Sequence, residues 1–229
     1  MHRAFPVIVP AIMAGEWNLL VADIEKIAHV ARHVQVDVMD GHLVPSFSFP
    51  YNKTILEGQK LPYKDDIHFE AHLMVQHPQE VGRLFIGAGA KTVIAQIEGF
   101  RFGESERVYE EWHDEGAETG VSLMLDTPLS DVIALIEKNL VSIVQVMSIS
   151  RVGYQGESFD VRALERIKIL RKEYPGIKIA VDGGIKMENL KEVVNAGVDQ
   201  IGIGSAIMQA EKPARAYKLF VEEVKKICS

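Results

Sequence analysis

Eight short apolar runs, each followed by a longer amphipathic stretch, recur along almost the whole chain. The runs are Val7–Met13, Val34–Met39, Phe69–Val75, Thr92–Ile97, Gly120–Leu125, Ser142–Ile149, Lys178–Asp182 and Gln200–Ile203. Their length and apolar character predict strands. Between the first two, Trp17–His33 carries Leu20, Ile24, Ile27 and Ala31 at the three-to-four spacing of a helix face. Pro78–Ala88, Glu104–Glu115, Leu129–Asn139, Asp160–Tyr174, Met187–Ala196 and Pro213–Ile227 repeat that pattern, and Asn52–Lys60 is the weakest helix of the set. Gly89, Gly116 and Gly197 stand where helices should stop. Strands alternating with helices predict a parallel sheet. Closing eight such units predicts a single (β/α)8 barrel, a TIM barrel, over residues 1–229. A doubly wound open sheet is the alternative, but it rarely needs eight repeats. No linker, low-complexity tract or shift in composition marks a second domain.

The formal net charge is −7. That balance favours solubility and argues against a nucleic-acid or anionic-membrane surface. An acidic chain that binds an anion needs a local electropositive pocket, often made of backbone N–H groups. Cys228 is the single cysteine, so no disulfide can form within the chain, which suits a reducing cytoplasm. No run approaches the ~20 apolar residues of a membrane span. Residues Met1 to Pro6 lead straight into a strand without the layout of a signal peptide. The expected location is cytoplasmic.

Side chains alternate along a strand, so one face of each fills the barrel and the other meets the helices. Val34, Val36 and Val38 suit the helix side, which turns Gln35, Asp37 and Met39 inward. Glu70, His72 and Met74 form the polar face of the third strand. In the seventh, Ile179 and Val181 face the helices and Asp182 ends the strand inward. Barrel enzymes carry their chemistry at the C-terminal ends of the strands. An interior carboxylate is costly unless paired, hydrogen-bonded or metal-bound. One such Asp can anchor a loop. Two of them with a histidine on one mouth are harder to explain as scaffolding. Carboxylates facing each other across a substrate suit proton handling on both faces of a carbon.

Glycines cluster after the last three strands, in Val152-Gly153-Tyr154-Gln155-Gly156, Asp182-Gly183-Gly184-Ile185 and Ile203-Gly204-Ser205-Ala206-Ile207. Singly, each is a plausible tight turn. Together they predict a phosphate site built from Gly153, Gly156, Gly183, Gly184, Gly204 and Ser205, with a short helix after the eighth strand aimed at the anion.

Five segments then become specific. Val36-Asp37-Val38-Met39-Asp40-Gly41-His42-Leu43-Val44-Pro45, His72-Leu73-Met74-Val75, Val146-Met147-Ser148, Val181-Asp182-Gly183-Gly184 and Gly204-Ser205-Ala206-Ile207 resemble, in order and spacing, the signature of the ribulose-phosphate 3-epimerase family. The resemblance implies interconversion of D-ribulose 5-phosphate and D-xylulose 5-phosphate by proton transfer at C3 through an enediolate, in the pentose phosphate pathway. It implies a divalent metal ion (zinc, iron, manganese or cobalt), with Asp37 and Asp182 as acid–base pair and ligands and His72 as a further ligand. Met39, Met74 and Met147 would cap the intermediate, although read alone they are core filler. Family members often assemble, so a homo-oligomer is expected, and the apolar residues of Leu43–Phe49 suit an interface.

The chain also departs from the family pattern. Gln35 stands where the family has its other histidine ligand, and a glutamine oxygen replaces imidazole poorly on a zinc-type ion. Ala11 removes a hydroxyl that contacts substrate, Gln96 stands where histidine is common, and Ser150 to Gly156 form a longer loop. Arg151 is either a phosphate contact or a solvated loop residue. Asp40 and His42 are expected to shape the loop after the second strand. His29, His33, His68, His77 and His113 read as surface or packing residues. These departures keep open an isomerase or lyase acting on another ketose phosphate, and a non-catalytic sugar-phosphate-binding barrel.

Overall fold

A computed structural model describes residues 5–52, 56, 58–154 and 156–229. The strands are β1 (Val7–Ile12), β2 (His33–Met39), β3 (His68–Met74), β4 (Thr92–Gln96), β5 (Glu118–Leu123), β6 (Ile143–Met147), β7 (Lys178–Asp182) and β8 (Gln200–Ile203). They pair in sequence order, all parallel, and the ring closes between β1 and β8 from Val7↔Gln200 to Pro10↔Ile203. The expected barrel is the observed one.

Eight α-helices are present among the described residues: α1 (Trp17–Ile27), α2 (Gln79–Ala88), α3 (Ser105–Asp114), α4 (Ser130–Glu137), α5 (Arg162–Glu173), α6 (Met187–Ala196), α7 (Ser205–Met208) and α8 (Pro213–Cys228). Their distribution differs from one helix per strand. The weak helix expected at Asn52–Lys60 lies partly outside the described residues, and the described ones there form turns or irregular backbone. β8 is instead followed by two helices, the short α7 and then α8. No helix among the described residues is long and apolar enough to cross a membrane.

Strand alternation separates two interiors. The outward faces, including Val34, Val36 and Val38 of β2 and Ile179 and Val181 of β7, pack with Leu20, Ile24 and Ile27 of α1 and the other helices in one large core. Each fully buried aliphatic side chain contributes about 1.5–3 kcal/mol. A one-residue slip of β2 would send its valines inward and its polar side chains into the helix layer, so this pattern locks the register. Inside the ring one small apolar cluster is Ile94, Ile143 and Ala180, and another, at the C-terminal mouth, includes Met39, Met74 and Met147. Much of the remaining inward space holds polar side chains, among them Gln35, His72, Gln96, Ser122 and Gln145, all buried.

The N-terminal mouth is tied by hydrogen bonds. His33 Nε2 meets Glu70 Oε2 at 2.8 Å and His68 Nε2 meets Thr92 Oγ1 at 2.7 Å, with the two histidine rings 4.5 Å apart. Lys178 Nζ and Ser142 Oγ both donate to Glu118 there. His33 and His68 therefore do sit in a constellation. Its members come from different strands, which sequence spacing does not bring together.

Candidate active site

β2 ends with Asp37 and Met39, and its register with β3 sets Asp37 beside His72. Asp182 closes β7, and all three side chains are buried at the C-terminal side of the ring. Serine hydroxyls hold both aspartate backbones. Ser48 Oγ donates to the Asp37 carbonyl at 2.8 Å and accepts from Met39 N at 2.9 Å. Ser148 Oγ donates to the carbonyls of Asp182 and Gly183 at 3.0 and 2.6 Å. On β8, a Cβ at Gly202 would stand only 3.1 Å from Asp182 Oδ1, so the missing side chain leaves the carboxylate its space. Asp40 acts as the expected loop anchor: it accepts from His42 N, Leu43 N and Gln76 N.

Gln35 joins the carboxylates. Its Nε2 donates to Asp37 Oδ1 at 2.7 Å and to Asp182 Oδ2 at 2.8 Å, and lies 3.5 Å from His72 Nδ1. Its amide oxygen is buried without a hydrogen-bond partner. His72 Nδ1 is 3.4 Å from Asp37 Oδ1 and equally far from Asp182 Oδ2, while the Gln96 amide stands 3.4 Å from its other ring nitrogen. Burial alone would drive the His72 imidazole toward neutrality. Hydrogen bonds to Asp182 and Asp37, together with both carboxylate charges, outweigh that and push its pKa up to about 9. Burial raises the Asp37 carboxyl above the usual carboxylate range, the Asp182 charge adds to the rise, and the His72 and Gln35 bonds oppose it.

Of these groups, Asp37 and Asp182 open onto a cleft at the barrel mouth. Its wall brings together Met74, Met147, Asp37 and Asp182 with Gly153, Gly156, Gly183, Gly184, Gly204 and Ser205. Met39 packs in the same apolar cluster as Met74 and Met147 but stands behind the wall. Gly184 has φ +67°, and a Cβ there would meet Phe159 N at 2.5 Å, so the turn after β7 accepts only glycine without rearrangement. The helix expected after β8 is α7, a single turn.

Residues 7–208 match the ribulose-phosphate 3 epimerase family over nearly the entire barrel. The chain belongs to that family. A ribulose-phosphate 3-epimerase of Aquifex aeolicus is 33% identical over 214 residues, covering 89% of this chain and 90% of the relative. The cytoplasmic isoform of ribulose-phosphate 3-epimerase from rice (Oryza sativa subsp. japonica) is 30% identical over 210 residues, with 90% and 89% covered. Among solved structures, KGPDC from Streptococcus mutans superposes with a TM-score of 0.75 at 16% identity over 97% of this chain and 98% of that one, a likeness of fold.

As a member of the ribulose-phosphate 3-epimerase family the chain is an isomerase-class enzyme, and the donor set at its strand ends can be tested against a metal. Asp37, His72 and Asp182 each offer one ligand atom, and these atoms lie within 4.8 Å of one another. Two carboxylate oxygens and an imidazole nitrogen form a mixed set that divalent transition ions accept. The three residues therefore fit such an ion. Gln35 points its nitrogen, not its oxygen, at the same atoms.

Several residues of this epimerase-family cleft were not singled out from the sequence. Lys186 carries the sole positive charge among the described residues that line it, and Tyr154 and Glu157 stand at its edge. The signal for Lys186 was its position two residues after Gly184, at the end of the glycine turn after β7. Arg151 does not line the cleft but is held by two residues that do: it forms a two-pronged ion pair with Glu157, at 2.5 and 3.2 Å, and lies over the Tyr154 ring.

Proposed function

We propose that this chain interconverts D-ribulose 5-phosphate and D-xylulose 5-phosphate by moving the C3 proton between two carboxylates through an enediolate. The observation that carries the reading is the meeting of Asp37 and Asp182 across one nitrogen, at the floor of a cleft whose far wall is the three glycine turns. The two residues reach this point from β2 and β7, three places apart around the ring, and so approach a bound carbon from different sides.

A two-base reaction needs one carboxylate ionised to take the proton and one protonated to return it. Burial and the Asp182 charge raise Asp37 above the ordinary carboxylate range, which supports a shared proton within the pair. The thioethers of Met74 and Met147 give the wall above the carboxylates an apolar surface that keeps solvent protons from the enediolate. The glycine turns and Lys186 suit the phosphate, which is held by backbone N–H groups and one cation in an otherwise acidic chain.

Asp37, His72 and Asp182 would hold a divalent ion, zinc, iron, manganese or cobalt, whose charge when bound would stabilise the enediolate oxygens. Cytoplasmic location and assembly into a homo-oligomer complete the proposal; the name of the rice relative supports the first, and the exposed Phe47 within Leu43–Phe49 supports the second.

Proton NMR of D-ribulose 5-phosphate with the protein in deuterated water tests this reading. Loss of the C3 proton signal with growth of D-xylulose 5-phosphate is expected. A substrate that keeps its C3 proton, with and without added divalent metal, would overturn it.

A further inference from the structure

Gln35 sends its amide nitrogen into the gap between the two catalytic carboxylates, 2.7 Å from Asp37 and 2.8 Å from Asp182, with His72 Nδ1 at 3.5 Å. That nitrogen already sits against the three side chains whose ligand atoms cluster within 4.8 Å of one another. The amide oxygen, by contrast, is buried without a partner. The orientation follows from charge. Turned over, the amide would place its oxygen against the acceptor oxygens of Asp37 and Asp182 and lose both N–H bonds, so the nitrogen faces inward.

We propose that Gln35 competes with a divalent cation at this site rather than ligating it. Its two N–H groups hold the carboxylates together as a neutral bridge, and a cation enters only when the side chain swings out of the gap. The position in the fold supports this role. Gln35 is fully buried two residues before Asp37 on the same face of β2, so its amide reaches the gap directly. The consequence is a site that keeps its two carboxylates in place without metal and takes up metal weakly. The inference rests on the proposed assignment of Asp37, His72 and Asp182 as cation donors, and it holds whichever ketose phosphate is turned over.

A ligand and a competitor respond to truncation with opposite signs. Mn2+ is titrated calorimetrically into chelator-treated wild-type protein and into Gln35→Leu and Gln35→Ala, at one pH and without substrate. Circular dichroism checks that each variant is folded. Losing two hydrogen bonds to charged partners is worth about 100-fold or more, so both variants should bind Mn2+ tighter than wild type by that factor. Weaker binding by the variants would make Gln35 a ligand and overturn the proposal. Equal binding, or none by any of the three, would overturn it as well. Should neither variant fold, the wild-type protein supplies the answer by NMR. The Gln35 side-chain NH2 protons should exchange slowly with solvent in the chelated protein and lose that protection on saturation with Zn2+, and protection that survives Zn2+ would refute the idea. Epimerisation of D-ribulose 5-phosphate by wild type is assayed separately, so failure of the functional reading and failure of this one give different results.

Discussion

The Ser148 hydroxyl donates to the backbone carbonyl of Asp182 at 3.0 Å. The same hydroxyl lies 2.6 Å from the next carbonyl, Gly183, so one side chain just after β6 fixes both Asp182 at the end of β7 and the start of the glycine turn that follows it. Ser48 does the corresponding work for Asp37 from the loop after β2. The two carboxylates are thus held through their backbones by serine hydroxyls and through their side chains by Gln35.

Ser148→Ala tests this support. The Ser148 amide still donates to Asp182 at 2.7 Å, so the fold should survive, while the Gly183 carbonyl loses its hydroxyl partner. A buried group left unpaired costs about 1–3 kcal/mol, which a lowered melting temperature would register. A shifted Asp182 should reduce kcat by roughly 10- to 100-fold. Unchanged kcat with an intact fold would remove Ser148 from the positioning of the base.

Asp37→Asn and Asp182→Asn test the proposed pair of proton carriers. Each should lower net epimerisation by about 100-fold or more. In deuterated water each should still exchange the C3 proton of one epimer, a different one in each variant, because one carboxylate remains to remove it. Exchange of both epimers by either variant would show a one-base reaction.

The His72 pKa gives stability a sign with pH. Its folded value of about 9 lies above the ordinary 6.5, so the stabilisation from its charged form is fully present below about 6.5 and is lost as pH rises toward 9. The raised Asp37 carboxyl acts in the same direction, since its folded state also prefers the proton. Chelator-treated protein should therefore melt at progressively lower temperature from pH 6.5 to 9, and His72→Gln should flatten that slope. A ligating imidazole must be neutral, so added Zn2+ should flatten it too. A melting temperature that climbs over this interval in the chelated protein would contradict the protonated His72.

Gly184→Ala tests the proposal that the turn after β7 holds the phosphate. The new Cβ would collide with Phe159 N, at a residue whose φ is +67°. The strain is worth about 1–2 kcal/mol or more in stability. Displacing the turn should raise KM for the sugar phosphate and weaken inhibition by inorganic phosphate, with kcat changed less. An unchanged KM would place the phosphate away from this turn.

Much of this architecture was legible in the chain. Lys178–Asp182, Gln200–Ile203 and Met187–Ala196 have the observed boundaries because apolar periodicity and a terminal glycine or acidic residue mark them locally. The inward turn of Asp37, His72 and Asp182 followed from alternation along single strands, with valines and isoleucines claiming the helix side. The helix at Asn52–Lys60 was the weak expectation, since its polar and glycine-containing stretch offers little face to bury.

What tertiary structure alone decided are contacts between strands distant in sequence. Gln35 is recognisable on its strand as an inward amide beside Asp37, but its bridge to Asp182 exists only because barrel closure carries the end of β7 to the end of β2. The same ring pairs His33 with Glu70 and sets Ser148 under Asp182. The sequence by itself determined which side chains enter the barrel, because alternation and burial are properties of one strand. Which atoms meet inside depends on the ring that brings eight strands to one axis, and there an amide nitrogen settled between two carboxylates because charge and hydrogen-bond geometry favour that orientation over its reverse.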